Sequence, residues 1–209
     1  MTIKIIRLKG HGERIENIDN LNYNDFLLHA EDELIKDLKK GKNIVLIGMS
    51  LGGFIALQLS SKYPVKGVIN ISIPYKGKFI TNLVSFFEPL IFKKHWRKSI
   101  PAYEREMRKN AFFYDINLRG FKVIKQGKNE LFSKFGKIIA PCLFINVIND
   151  HVFHPRGAEI IKNKINSKIV EISLFETGGR ASHNPFYTLQ HRGLYKLIGD
   201  FVEKKKLFN

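Results

Sequence analysis

The sequence predicts an α/β protein: a mostly parallel sheet wrapped on both faces by helices, with a helical insertion. Two observations carry this. Short apolar runs alternate with amphipathic helical stretches along most of the chain, the pattern of strand–helix–strand units. The runs Asn43–Gly48, Gly67–Ile73 and Cys142–Ile148 are also nearly uninterrupted in apolarity, as strands covered on both faces are. At 209 residues, 44% of them hydrophobic, the chain suits one globular domain with a full core.

In order, Thr2–Leu8 reads as a strand, followed by the turn Lys9-Gly10-His11-Gly12. Residues 24–40 read as a helix, with Phe26, Leu27, Leu34, Ile35 and Leu38 near one face. The strand 43–48 leads through Gly48-Met49-Ser50-Leu51-Gly52-Gly53 into a helix over 51–63 that Pro64 stops. Strand 67–73 ends at Pro74. From about 75 to 137 the pattern turns helical, basic and aromatic with no clear strand, which reads as a cap inserted between two strands. Pro141 opens strand 142–148, residues 158–164 read as a helix, and 169–175 as a further strand. Pro185 begins a final helix to about Lys206. There is no internal repeat and no low-complexity linker.

The formal net charge is +16, with lysines scattered through the sequence. Such a balance favours nucleic acid or anionic lipid, but no zinc-ligand spacing, RRM-type aromatic motif or recognition-helix signature accompanies it. The reading preferred here is a solvated Lys-rich surface with no specific nucleic-acid partner. The single cysteine, Cys142, lies inside an apolar run and reads as a buried packing thiol, so no intrachain disulfide can form. The first residues lack the apolar core of a signal peptide, and no stretch approaches the roughly 20 apolar residues of a membrane span. The expectation is a cytoplasmic protein.

The chemistry concentrates at Ser50. A G-x-S-x-G between a strand and a helix is a nucleophile elbow: the turn strains the serine backbone and lifts its hydroxyl above the sheet edge, at a helix N-terminus that favours negative charge. A nucleophilic serine needs a base, a carboxylate that orients the base, and donors for the oxyanion. Ligand-facing loops of such a sheet lie at the carboxyl ends of the strands. Asp150 ends one strand there and His183 lies in the loop after the last. Glu176 also ends a strand and is the rival carboxylate, though Asp150 is preferred. Among the seven histidines, His29 and His191 fall in predicted helices and His95 in the insertion. His11 sits in an early loop, and His151 and His154 follow Asp150 at the rim.

With these residues in view, the chain resembles the bacterial carboxylesterases and monoacylglycerol-lipase-like esterases of the α/β-hydrolase superfamily. The resemblance runs from Arg7-Leu8-Lys9-Gly10-His11-Gly12 through Gly48–Gly53, then Asn149-Asp150-His151-Val152 with Pro155 and 158–161. It closes at Ser182-His183 and Phe201-Val202-Glu203. It covers nearly the whole chain and is weakest over 75–137. It implies the α/β-hydrolase fold, with Ser50 as nucleophile, Asp150 as orienting acid, His183 as base and the Leu51 amide as one oxyanion donor. It also implies serine ester hydrolysis of a small-molecule ester, an acylglycerol among the candidates, without metal or organic cofactor. The aromatic residues Phe79, Phe86, Phe87, Phe92 and Trp96 of the insertion read equally as an acyl-chain surface or as packing. Members of the family carry further strands ahead of the segment that 2–8 resembles, and an H-G loop that supplies the second oxyanion amide. The resemblance therefore implies a truncated amino-terminal part, with a vacant sheet position between 2–8 and 43–48. The alternative it leaves open is an impaired or inactive homologue that acts at most as a binding protein.

Overall fold

The computed structural model describes residues 2–11, 13, 15–78, 95–97, 115–117, 119–177, 183–188 and 190–208. The chain divides into two compact units, one comprising Met1–Lys42 and Ser85–Gln126, the other Asn43–Val84 and Gly127–Asn209. No helix among the described residues is long and apolar enough to cross a membrane.

In the first unit, helix α1 (Tyr23–Leu38) starts at Asn22, whose side chain accepts from the amides of Asn24 and Asp25. Asp25 reaches back to the Asn22 amide at 2.8 Å, which closes a capping box. Tyr23, Phe26, Leu27, Ala30 and Leu34 are buried along α1 at helical spacing. Ahead of α1 the expected strand 2–8 does not form. These residues pair with no strand among those described, and Ile3 and Ile5 are 75% and 89% exposed. Alternating apolarity supplies a face, but a strand also needs a neighbouring backbone to bond to. The insertion expected over 75–137 lies largely outside the described residues. Those described include two short strands where none was expected, β3 (His95–Arg97) and β4 (Asp115–Asn117), paired antiparallel. They also include helix α3 (Arg119–Phe132).

The second unit holds the sheet. Its strands are β1 (Val45–Met49), β2 (Gly67–Ile71), β5 (Cys142–Val147) and β6 (Val170–Phe175). They lie in the order β1-β2-β5-β6, every pair parallel. Helix α2 (Leu51–Ser60) links β1 to β2, helix α4 (Gly157–Lys162) precedes β6, and helix α5 (His191–Lys204) follows it. The expected single helix from Pro185 is instead a 3-10 turn, Pro185–Tyr187, and then α5. Asn184 accepts from the Phe186 amide and so caps the first piece separately.

The two faces of the sheet are packed differently. Ile69, Ile71, Leu143, Ile145 and Phe175 form a core with Leu194, Phe201 and Leu207 from α5 and its tail. On the opposite face α2 approaches β2 closely: a Cβ added at Gly53 would lie 2.7 Å from Asn70 Oδ1. Cys142 is fully buried and unpaired, and burial pushes its thiol up to about 12, so it is a packing residue as expected.

Candidate active site

The site is built at the carboxyl ends of β1 and β5 and in the loop after β6. Ser50 joins β1 to α2 with φ 52° and ψ −118°, a conformation that a residue with a side chain rarely adopts. Its amide donates to the Ile71 carbonyl at 2.9 Å, so β2 holds the bend in place. The glycines divide in role. A Cβ at Gly48 would run into the Gly52 carbonyl, and one at Gly53 into Asn70. At Gly52, where the motif also calls for glycine, a Cβ would meet nothing within 4 Å. Leu51 is the first residue of α2, in the turn whose amides lack intrahelical acceptors and so can bind an anion.

Asp150 follows β5 and is 3% exposed. Its Oδ1 accepts from the amides of Val152 at 2.7 Å and Phe153 at 3.0 Å. Its Oδ2 lies 2.6 Å from His183 Nδ1. Burial opposes the charge on Asp150, but the hydrogen bond and charge of His183, with the two amides, outweigh it and hold the carboxyl below its ordinary range. An ionised carboxylate can only accept, so the proton between them sits on Nδ1. That leaves the Nε2 lone pair to face Ser50 Oγ, 2.9 Å away.

The three residues singled out from sequence therefore meet in one hydrogen-bonded chain. Glu176 is exposed on the far side of Phe175 in sequence and does not join it. Nor, among the described residues, does another histidine reach Ser50. His154 accepts from the Arg156 amide, His191 bonds the Thr188 carbonyl, and His11 stacks edge-on against Phe26. The insertion aromatics Phe79, Phe86, Phe87 and Phe92 lie outside the described residues, and of Trp96 only its place in β3 is described.

Sequence reasoning missed the supports around Asp150. Phe153 is buried, its ring centroid 5.3 Å from that of His183. Its backbone bridges to Gly77, flanked by bonds from Lys78 N to Val152 O (3.2 Å) and from His154 N to Lys76 O (2.7 Å). The signal was present in part: an aspartate that closes a turn onto amides two and three residues later is an ordinary Asx arrangement.

No family model matches the chain. A curated relative, a thermostable monoacylglycerol lipase of Bacillus sp. (strain H-257), is 26% identical over 181 residues, 82% of this chain and 68% of the relative. Among solved structures, one described with LipS and LipT, two metagenome-derived lipolytic enzymes, matches with a TM-score of 0.77 at 17% identity, covering 94% of this chain and 80% of that one. The monoacylglycerol lipase of Paleococcus ferrophilus matches with a TM-score of 0.64 at 16% identity, covering 86% and 76%. The chain has the α/β-hydrolase fold, and in sequence it is similar to a monoacylglycerol lipase.

Proposed function

We propose that the chain is a serine carboxylic ester hydrolase acting on small esters, with monoacylglycerols the substrate class its relatives favour. Ser50 is the nucleophile, His183 the base, Asp150 the group that orients it, and the Leu51 amide one oxyanion donor. The observation that carries this reading is the unbroken chain from Asp150 through His183 to Ser50, at 2.6 and 2.9 Å.

Ser50 Oγ attacks the ester carbonyl as Nε2 of His183 takes its proton. The carbonyl oxygen becomes an anion at the N-terminus of α2, where the Leu51 amide and the helix dipole stabilise it. The imidazolium that forms is bonded to the ionised Asp150. It returns its proton to the leaving alcohol as the carbon–oxygen bond breaks, leaving an acyl-serine. Water then attacks the acyl carbon, His183 takes a proton from it, and the acid departs as that proton passes back to Ser50.

A fluorophosphonate probe tests the nucleophile directly. It is expected to label the wild-type chain and not Ser50→Ala, and turnover of p-nitrophenyl butyrate should fall by on the order of 10⁴–10⁶ in that variant. Labelling that persists in Ser50→Ala removes Ser50 from the reaction. The other reading carried from the sequence is an acyl-binding homologue with an impaired oxyanion site. Labelling without ester turnover is its signature, since loss of one oxyanion donor costs on the order of 10²–10³ in rate.

A further inference from the structure

We propose that the amino-terminal end of the parallel sheet, opposite the Ser50 site, is a docking surface for an anionic phospholipid bilayer. Four segments of the second unit meet at this end: 61–66 before β2, 133–141 before β5, 163–169 before β6, and 204–208, the last residue of α5 and its tail. They are joined to one another. The Val68 amide bonds the Pro141 carbonyl at 2.8 Å, and Asn166 Nδ2 bonds the Gly136 carbonyl at 2.7 Å. Leu207 packs beside Gly67, since a Cβ there would come 2.7 Å from Leu207 Cδ1.

Around the run Lys204–Lys206 the fold gathers lysines that are far apart in sequence. The first three segments hold two lysines each and the last holds three, nine in all, with no aspartate or glutamate. Glu171 on β6 takes Lys205 at 2.6 Å and Lys204 at 3.9 Å. Lys66, Lys134, Lys137 and Lys168 pair with no carboxylate among the described residues. The carboxyl end of the same sheet is mixed, with Asp150 and Glu176 beside Lys76, Lys78 and Arg156 in its described loops. Lysines that only complemented helix C-termini would need no apolar company. Here Phe132, Ile139 and Phe208 stand 65%, 71% and 38% exposed among them, and Lys164 Nζ lies 5.3 Å from the centre of the Phe132 ring.

That mixture separates two kinds of polyanion. A nucleic-acid surface draws on arginine and on rings that stack with bases, and these segments contain no arginine. Exposed phenylalanine and isoleucine between lysines suit the boundary of headgroups and acyl chains, where each part finds its solvent. Because the surface lies at the end of the sheet away from Ser50, docking does not depend on the proposed chemistry.

Sedimentation of the full chain with vesicles tests this. Binding to phosphatidylglycerol–phosphatidylcholine vesicles at 0.1 M salt should exceed binding to pure phosphatidylcholine at least tenfold, about the strength a few lysines give. Lys134→Glu, Lys137→Glu and Lys168→Glu together should weaken it about 100-fold. Phe132→Ser with Ile139→Ser should weaken it severalfold without changing the charge. Thermal unfolding of each variant reports whether it folds. Equal binding to both vesicles overturns the proposal. So does vesicle binding that survives the Phe132/Ile139 change while duplex DNA binds as tightly, for the surface would then read charge alone.

Discussion

The two faces of the sheet carry different loads. Against α5 the surface is apolar over β2 and β5, from Ile69 and Ile71 to Leu143 and Ile145, and turns polar on β6, where Glu171 and Ser173 share the face of Phe175. Against α2 the same strands present Asn70, and Asn146 falls on that face by the β-strand alternation from Phe144, the register partner of Asn70. Both amide atoms of Asn70, Ser72 Oγ and Asn146 Oδ1 are buried without a partner among the described residues. Both faces bury apolar side chains, Val68 and Phe144 among them on the α2 side, but on that side polar groups are buried with them beneath the helix that follows the strained serine. Stability and chemistry can then be damaged separately, which three substitutions test.

The largest of these three effects is expected at Asp150. Asp150→Asn keeps the shape of the side chain but lets its amide donate to Nδ1, which favours the imidazole tautomer with Nε2 protonated and unable to accept from Ser50. Ester turnover should fall on the order of 10⁴-fold, with the protein still folded. The substitution also has a signature in stability. Since the folded state holds the Asp150 carboxyl below its ordinary 3.8, the charged form is favoured on folding. Its contribution is fully present above about 3.8 and disappears as pH falls through the lower, folded value. Melting temperatures followed from pH 6 downward should therefore drop further for the wild type than for Asp150→Asn. Parallel curves would mean that the Asp150 interactions give the carboxylate no advantage in the folded state.

The α5 face answers the other way. Leu194 is fully buried in the core against β2, β5 and β6. Leu194→Ala should cost about 2–5 kcal/mol of unfolding free energy by denaturant titration. The folded fraction should keep its fluorophosphonate labelling rate, because Leu194 takes no part in the hydrogen bonds that join Asp150, His183 and Ser50. A labelling rate that falls with stability would show that the two faces are coupled through the strands.

How much of this could be read from sequence follows the same division. Strands 67–71 and 142–147 announced themselves because burial on two faces leaves a nearly unbroken apolar run, whereas 45–49 is apolar though half-exposed and 170–175 alternates with Glu171 and Ser173. The elbow was legible because a tight strand-to-helix bend needs glycine where a Cβ would strike backbone, as at Gly48. Strand 2–8 misled because periodicity reports a face and not a partner. The β3–β4 pair went unread because three residues are too few to display alternation. The break between Pro185–Tyr187 and α5 depends on the Asn184 cap and the Thr188 hydroxyl, which bonds the Pro185 carbonyl at 2.8 Å, rather than on apolar spacing. The amide cradle around Asp150 depends on how one short turn closes, a matter of local geometry that composition does not encode.

The smallest effect, and the finest test of the contrast between faces, lies at Asn70. Both of its side-chain polar atoms are buried and unpartnered among the described residues, and removing such a group can be neutral or stabilising when an apolar side chain of similar size takes its place. Asn70→Leu should therefore leave the unfolding free energy within about 1 kcal/mol of wild type or raise it slightly. A loss of about 2 kcal/mol or more would instead mean that water occupies the space beside Asn70 and satisfies its amide. In that case the polar residues under α2 belong to a hydrated layer that supports the elbow. Fluorophosphonate labelling separates the two results further: if Asn70 only fills space the rate stays put, whereas loss of a hydrated support lets the Ser50 bend relax and slows labelling along with the drop in stability.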